Sequence, residues 1–427
     1  MNQIGGCITE IATANTKILI DLGHNLPNNE GTNDDCWANE ESVKKLTDGI
    51  DAIFYTHYHG DHVDLFRFVP KGVKQYIGET AKKVVIRKYQ QLSRLADKKE
   101  QYTHYLSKVK KMLPLKEEKT KKIKGIQITP YFVSHSAYES FMFLIEAEGK
   151  RILHTGDFRD HGHLGKGLMK ILKCMLRKGT IDVLIIEGTM LSRLSERVKK
   201  ECMLQKDVYK IMSKYKNVFV LCSSTDMERL ATFHAANKQI DNRPFVCDNY
   251  QADILQIFSD SAGQHSPLFV FDKVFDLEWK NKNCLKGKNE KLLNYMKNQG
   301  FCMLVRPTEK FVDYYYLLKK HINEEDTVLI YSMWEQYIHP ESKHKKENYL
   351  NFVNLFPKIE KLHTSGHASA DCLVEVCNFV NPTSAIIPIH SESSDDFKKL
   401  PLHEELKEKI VTESAKKEDI EIIIRIK

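Results

Sequence analysis

The sequence predicts an α/β protein in which a strand-rich domain is interrupted by an inserted helix–strand unit, and three observations predict it. Apolar runs of strand length crowd the first part of the chain: NTKILID (15–21), DAIFYTH (51–57), GIQITPYFVSHS (125–136), SFMFLIEAEGKRILHTGDF (140–158) and DVLIIEGT (182–189). Each ends in polar residues that start loops, the usual seat of chemistry. After Ser192 the pattern changes to apolar strands alternating with helices: a helix near Ser195 to Lys216, NVFVLCSS, a helix from Asp226 to Lys238, PFVCDN with another helix, FCMLVRP and DTVLIYSM. Such alternation implies a largely parallel sheet. Near Lys361 the chain returns to motif-bearing strands, KLHTSGHAS and SAIIPIH, separated by a helix from Ala370 to Phe379. The expected division is therefore 1–192 for the first part of one domain, 193–358 for the insertion and 359–427 for the rest of the first domain. A chain of 427 residues exceeds the usual size of a single core.

In the first part, the two strands of 140–158 join at a tight turn, Glu148-Gly149-Lys150, and the connections read as mostly meandering. Between Thr80 and Leu113 the apolar residues Val84, Val85, Tyr89, Leu92 and Leu95 fall at helical spacing among many lysines. This stretch predicts one or two amphipathic helices with a solvated lysine face, a face that also suits contact with phosphates.

Bulk composition narrows the class. Hydrophobic residues at 42% and charged residues at 28% describe a soluble globular chain. A net charge of +7 tolerates a polyanionic partner without being the footprint of a dedicated nucleic-acid binder. The ten cysteines, Cys7, Cys36, Cys174, Cys202, Cys222, Cys247, Cys284, Cys302, Cys372 and Cys377, form no CxxC pair, and Cys222 and Cys302 sit inside apolar runs. The reading is reduced thiols in a cytoplasmic protein. No signal-peptide pattern opens the chain and nowhere do eighteen apolar residues run together, so neither secretion nor a membrane span is expected.

The chemistry concentrates in Thr56-His57-Tyr58-His59-Gly60-Asp61-His62, three imidazoles and a carboxylate directly after an apolar strand. His57 and His59 alternate and so face one way in extended chain, while a turn at Gly60 presents Asp61 and His62 to a second point nearby. Imidazole and carboxylate are the ligands zinc accepts at catalytic sites. One loop does not complete two metal sites. His135 in VSHS, Asp157 in HTGDF and His390 in IPIH, each at a strand end, are the further candidates.

In that order, HxHxDH followed by His, Asp and His, the chain resembles the metallo-β-lactamase superfamily. ILIDLG with Asp21, HTGDFR, IIEGT with Glu187, HTSGHAS with His367 and IIPIH resemble its β-CASP branch, in particular RNase J-type ribonucleases. The resemblance implies a metallo-β-lactamase αββα sandwich carrying an inserted α/β β-CASP domain. It implies two Zn2+, with Mn2+ an acceptable substitute: His57, His59 and His135 on one ion, Asp61, His62 and His390 on the other, and Asp157 bridging. Asp21 would support the metal loop without binding metal. Asp61, Glu187 and His367 are the catalytic candidates, with His367 the general acid for the leaving oxygen and Glu187 holding its charge.

The implied activity is hydrolysis of phosphodiester bonds in single-stranded RNA, endonucleolytic, 5′ to 3′ exonucleolytic or both. A DNA nuclease of the Artemis type, for which TGDFR also speaks, and a non-catalytic nucleic-acid-binding protein of the same fold are the alternatives. A small-molecule hydrolase fits least, because the insertion is expected to roof the cleft and form a channel for a single strand. Ser223, Ser224 and Thr225, between a strand and a helix, are candidate substrate-phosphate ligands or ordinary helix N-caps. Tyr331-Ser332-Met333-Trp334 stands where RNase J-type enzymes carry a Ser-rich turn, with Trp334 able to stack on a base. The chain ends at Lys427, soon after the last motif, so dimerisation through the extra C-terminal domain of longer RNase J-type proteins is not assumed, and a monomer and a different interface are both open.

Overall fold

The computed structural model describes residues 4–25, 38–194, 196, 198–278, 280, 282–392 and 394–412, and the backbone of 423–426. Cys36 and Ser195 of the expectations above lie outside the described residues. The described chain divides into two compact units, one reaching Val198 and resuming at Gly366, the other Lys199–Ser365.

The first unit holds two six-stranded sheets. In one the order is Ile423–Ile426, Thr9–Ala12, Lys17–Ile20, Ala52–Phe54, Lys74–Gly78, Leu113–Leu115. In the other it is Ala385–Ile389, Val183–Glu187, Lys150–His154, Ser140–Ala147, Ile126–Val133, Lys121–Ile123. β-Branched and aromatic residues on the facing sides interdigitate into one core: Ile11, Ile18, Ile20 and Phe54 from the first sheet meet Phe141, Phe143, Ile145 and Ile185 from the second. Each fully buried side chain of this size contributes about 1.5–3 kcal/mol of transfer free energy.

Helices cover the outer faces. Leu168–Leu176 and Ala370–Val380 pack Leu172, Met175, Leu373 and Val376 against the second sheet. Glu79–Leu92 runs beside Lys74–Gly78 of the first, burying Ala81, Val84, Val85 and Tyr89. The layers are helix, sheet, sheet, helix, the αββα arrangement of a metallo-β-lactamase fold.

The expectation of a mostly meandering first part holds for the hairpin of Thr9–Ala12 with Lys17–Ile20 and for residues 121–154, where the strands pair antiparallel. From Lys17–Ile20 to Leu113–Leu115 every pairing is parallel. Crossover segments, including the helices Glu40–Leu46, Glu79–Leu92 and Lys99–Lys111, separate those strands, and a crossover brings the next strand back in the same direction.

Parallel pairing gathers the motifs. Val183–Glu187 lies between Lys150–His154 and Ala385–Ile389, parallel to both, with Ile185 opposite His154 and Glu187 opposite Ile389. The loops bearing Asp157, Thr189 and His390 therefore leave one end of the sheet together. In the other sheet Lys17–Ile20 and Ala52–Phe54 likewise end side by side, and the Asp21 N–H donates to the Phe54 carbonyl at 2.9 Å.

The second unit is one parallel sheet in the order Val274–Asp276, Phe245–Cys247, Phe301–Val305, Asn217–Cys222, Thr327–Ser332, Ile359–Lys361. The last strand was expected in the returning first domain, yet it pairs with Thr327–Ser332 and so completes this sheet. A buried fork joins Arg229 to Glu201, Nε to Oε1 at 2.6 Å and Nη2 to Oε2 at 3.2 Å, with Nη1 on the Ser332 hydroxyl.

Candidate metal centre

The loop after Ala52–Phe54 carries His57 and His59 in extended chain and then turns into the short helix Gly60–Val63, for which His59 is the N-cap. The turn at Gly60 is thus helical. Asp61 and His62, in its first turn, lie beside this pair, the His62 ring 4.1 Å from that of His57, and form a second cluster with His390.

In the first cluster Nδ1 of His59 lies 3.0 Å from Nε2 of His57 and 3.2 Å from Nε2 of His135. Four-coordinate zinc with Zn–N bonds of ~2.0–2.1 Å needs nitrogens roughly 3.3 Å apart. Hydrogen bonds aim these nitrogens. The Thr56 hydroxyl donates to Asp21 at 2.8 Å and so accepts from His57 Nδ1 at 3.0 Å, while His135 Nδ1 donates to the Gly366 carbonyl at 2.6 Å. Both Nε2 atoms are left with free lone pairs.

The second cluster is built the same way. His62 Nδ1 donates to Asp21 Oδ2 at 2.8 Å, and His390 Nδ1 donates to the Thr189 hydroxyl at 2.7 Å, which itself donates to Glu187 Oε2 at 2.7 Å. His390 Nε2 then faces Asp61 Oδ2 at 3.2 Å. Asp157 stands between the clusters: its Oδ2 is 3.1 Å from His62 Nε2, 3.8 Å from His57 Nε2 and 3.9 Å from His135 Nε2, and its Oδ1 is 3.9 Å from His390 Nδ1. Asp21 and His390 hold this arrangement in left-handed backbone, φ 61° and 50°, a strained conformation costing about 1–3 kcal/mol apiece.

Two observations test whether a metal fits. Asp157 Oδ1 is buried without a hydrogen-bond partner, and His62 Nε2, though 3.1 Å from Asp157 Oδ2, makes no directed hydrogen bond, a costly state for polar atoms that a cation would relieve. The electrostatics agree. Burial pulls His62 down, but the carboxylates of Asp157, Asp21 and Asp61 outweigh it and hold the imidazole well above its usual range. The cluster stabilises positive charge at that point. Burial and the neighbouring imidazoles push His57 and His135 well below theirs, and burial takes His59 down to about 4, so these three are neutral imidazoles able to ligate a metal. Asp61 and Asp157 stay ionised against burial because the histidines hold them down. The donor set fits zinc.

Beside this centre, Nδ1 of His367 lies 3.0 Å from Glu187 Oε2 and 3.7 Å from Asp157 Oδ2. Burial disfavours its charge, yet Glu187 and Asp157 raise its pKa above the ordinary value.

All seven ligand candidates, with Glu187 and His367, thus converge in the first unit. Ser223, Ser224 and Thr225 belong to the second, between Asn217–Cys222 and Met227–Lys238. Their capping role is corrected: the N-cap of that helix is Asp226, whose carboxylate accepts the Arg229 N–H at 3.1 Å. Sequence reasoning missed Thr56 and Thr189, whose hydroxyls relay between a carboxylate and a histidine. It also missed His154, buried under the Asp157 loop and held down to about 4 by burial, which accepts the Gly156 N–H. His154 ends the strand before TGD, its Nε2 3.2 Å from the Thr9 hydroxyl, and a lone histidine at a strand end carries no spacing pattern of its own.

Fold and site together define a metal-dependent hydrolase with a metallo-β-lactamase fold. Residues 16–206 match the beta-lactamase superfamily domain, and residues 353–412 match the Zn-dependent metallo-hydrolase RNA specificity domain. The chain therefore carries a metallo-β-lactamase superfamily domain together with an RNA specificity domain of zinc-dependent metallo-hydrolases. Its structure is similar to the crystal structure of a protein of unknown function from Enterococcus faecalis V583, with a TM-score of 0.69 and 17% identity over 100% of this chain and 97% of that one. That likeness is one of fold. No helix among the described residues is long and apolar enough to cross a membrane.

Proposed function

We propose that the protein is a two-metal ribonuclease of the β-CASP, RNase J-like branch, hydrolysing phosphodiester bonds in single-stranded RNA. The observation that carries this reading is Asp157, whose carboxylate faces the His57–His59–His135 cluster and the Asp61–His62–His390 cluster at once. The RNA specificity domain supports RNA as the substrate. The unit Lys199–Ser365 is, in this reading, the inserted β-CASP domain, with Ser223, Ser224 and Thr225 among its phosphate contacts.

His57, His59 and His135 would hold one ion and Asp61, His62 and His390 the other, with Asp157 shared. Two bound zinc ions supply a water nucleophile at neutral pH and positive charge for the phosphoryl oxygens. Everything else is done by the chain. Asp21, Thr56, Thr189 and the Gly366 carbonyl fix which nitrogen of each histidine faces inward. His367 donates its Nε2 proton to the leaving ribose oxygen, and Glu187, bonded to Nδ1, keeps that imidazole charged until the bond breaks; positioned proton transfer of this kind contributes roughly 10²–10⁴-fold.

Zinc-loaded protein incubated with end-labelled single-stranded RNA and DNA of one sequence tests the proposal. Cleavage of RNA is expected to exceed that of DNA, and the ladder separates endonucleolytic from 5′ to 3′ cutting. Faster cleavage of DNA would transfer the site to an Artemis-type reaction, and no cleavage of either would overturn the nuclease reading.

A further inference from the structure

Cys7 stands at the second cluster. Its sulfur and one ligand nitrogen each of His62 and His390 lie within 4.8 Å of one another, all three residues being buried. The placement is built into the backbone. Gly5 and Gly6 take φ values of 85° and 62°, a left-handed pair that folds the chain back so that Cys7 arrives beside the metal loop. The Gly6 N–H donates to the His24 carbonyl at 2.9 Å and the Cys7 N–H donates to the Asp61 carbonyl at 3.3 Å, so this segment is fastened to the loop that carries four of the ligand candidates. A second observation points to a ligand there. His62 Nε2 is buried and makes no directed hydrogen bond, its nearest neighbour being the Asp157 carboxylate at 3.1 Å, and its other nitrogen is committed to Asp21.

We propose that Cys7 supplies a thiolate to the metal that Asp61, His62 and His390 would hold, an inference that rests on the two-metal reading above. Binding replaces the S–H bond with a metal–sulfur bond and releases the proton to water, with no change of oxidation state. The two sites then differ in kind: the His57 side offers imidazoles, the Cys7 side sulfur, imidazole and carboxylate. Sulfur is a soft donor that favours zinc over manganese, which prefers oxygen. Cys7 thereby makes the second site select zinc, whereas a purely imidazole and carboxylate site accepts both.

Full-length protein loaded with cobalt(II) reads this directly, because a thiolate ligand gives an intense near-ultraviolet charge-transfer band that nitrogen and oxygen ligands do not. Wild type is expected to take up two equivalents of cobalt with the band appearing alongside one of them, and Cys7→Ser and Cys7→Ala to lose it. Zinc-edge X-ray absorption of the wild type needs no variant and is expected to contain a Zn–S shell at ~2.3 Å. Two bound equivalents with neither band nor sulfur shell would overturn the role of Cys7 and leave the two-metal reading standing. A single equivalent without sulfur would overturn both. A band that survives in Cys7→Ala would assign the sulfur to another cysteine.

Discussion

Nδ1 of His367 lies 3.0 Å from Oε2 of Glu187, and the same carboxylate accepts the Phe158 N–H at 2.7 Å through Oε1 and the Thr189 hydroxyl at 2.7 Å through Oε2. With both oxygens engaged, Glu187 is a fixed anion beside His367 and has no oxygen left over for a metal. His367→Ala is therefore expected to keep its metal while turnover falls roughly 100- to 10,000-fold. The loss should shrink on a nitrophenyl phosphodiester, whose leaving group departs without a proton. Glu187→Gln should show the same pattern more mildly. Metal analysis beside kinetics on both substrates checks this; equal losses on the two substrates would make His367 a substrate-positioning residue.

Asp157 is different because it faces both clusters. Protein purified without chelator is expected to carry two metal equivalents, since the potential ligands are too many for one tetrahedral site. Asp157→Ala should lower metal content and activity together, because without the carboxylate two like charges face each other unshielded. Retention of both metals with near-normal turnover would refute the shared role.

Asp21 touches no reacting atom, yet it orders the loop by accepting from the Thr56 N–H at 2.7 Å, the Thr56 hydroxyl and His62 Nδ1. Asparagine tolerates the left-handed backbone found there but replaces one carboxylate oxygen with a donor. Asp21→Asn is expected to fold normally and to bind metal about 10- to 100-fold more weakly, the usual loss on removing an outer partner of a ligating histidine. Competition with a metal-sensitive dye measures this, and an unchanged affinity would show that His62 needs no such partner.

How much of this was legible in the sequence follows from distance along the chain. His57, His59, Asp61 and His62 announce themselves because four donor side chains fall within six residues. His135, Asp157 and His390 end apolar strands, and a strand end is where a polar side chain is available for chemistry. Thr56 and Thr189 gave no such signal, since a threonine in a strand or loop is ordinary until its hydroxyl is seen relaying between a carboxylate and an imidazole. Cys7 read as one more reduced thiol. Its approach to His62 depends on two left-handed glycines and a fold contact spanning more than fifty residues, neither visible as a pattern. The parallel pairing of Lys74–Gly78 with Leu113–Leu115 was hidden for a related reason: the lysine-rich helices that make that crossover read as surface helices, not as a connection.

Glu139 offers a pH test away from the metals. Its Oε2 accepts the Thr80 and Ala81 N–H groups at the start of the helix Glu79–Leu92. Burial outweighs those bonds and raises its pKa from 4.5 to about 7. A raised carboxyl means that between these values the folded protein keeps a proton the unfolded chain has released. Stability therefore falls as pH rises through that window and levels off above it, by at most about 3 kcal/mol. Glu139→Gln lacks this titration. Its apparent thermal midpoint should gain on the wild type between pH 5 and pH 8, and a constant difference would show that Glu139 titrates normally.

Residues 79–124 hold fifteen Lys and Arg against five Asp and Glu, a surplus larger than the net +7 of the whole chain. Not all of it faces solvent, as an amphipathic reading would have it. Lys82 Nζ donates to the carbonyls of Lys110 and Met112, Lys108 Nζ donates to those of Arg67 and Val69, and burial lowers both amines. The two helices are locked by Tyr89, Tyr102, Tyr105 and Phe66 in edge and tilted ring contacts. Lys83, Lys110 and Lys111 remain exposed on this rigid support and are free to meet phosphates. Reversing them to Glu is expected to weaken RNA binding and to flatten its salt dependence by about 0.7 in log–log slope per lost phosphate contact. Hydrolysis of a nitrophenyl phosphodiester should not change, because that substrate fills only the metal centre. Titrations of RNA at several salt concentrations read the slope; an unchanged slope would make these lysines a solvated face, and a fall in nitrophenyl hydrolysis would tie them to the fold of the site instead of to the RNA.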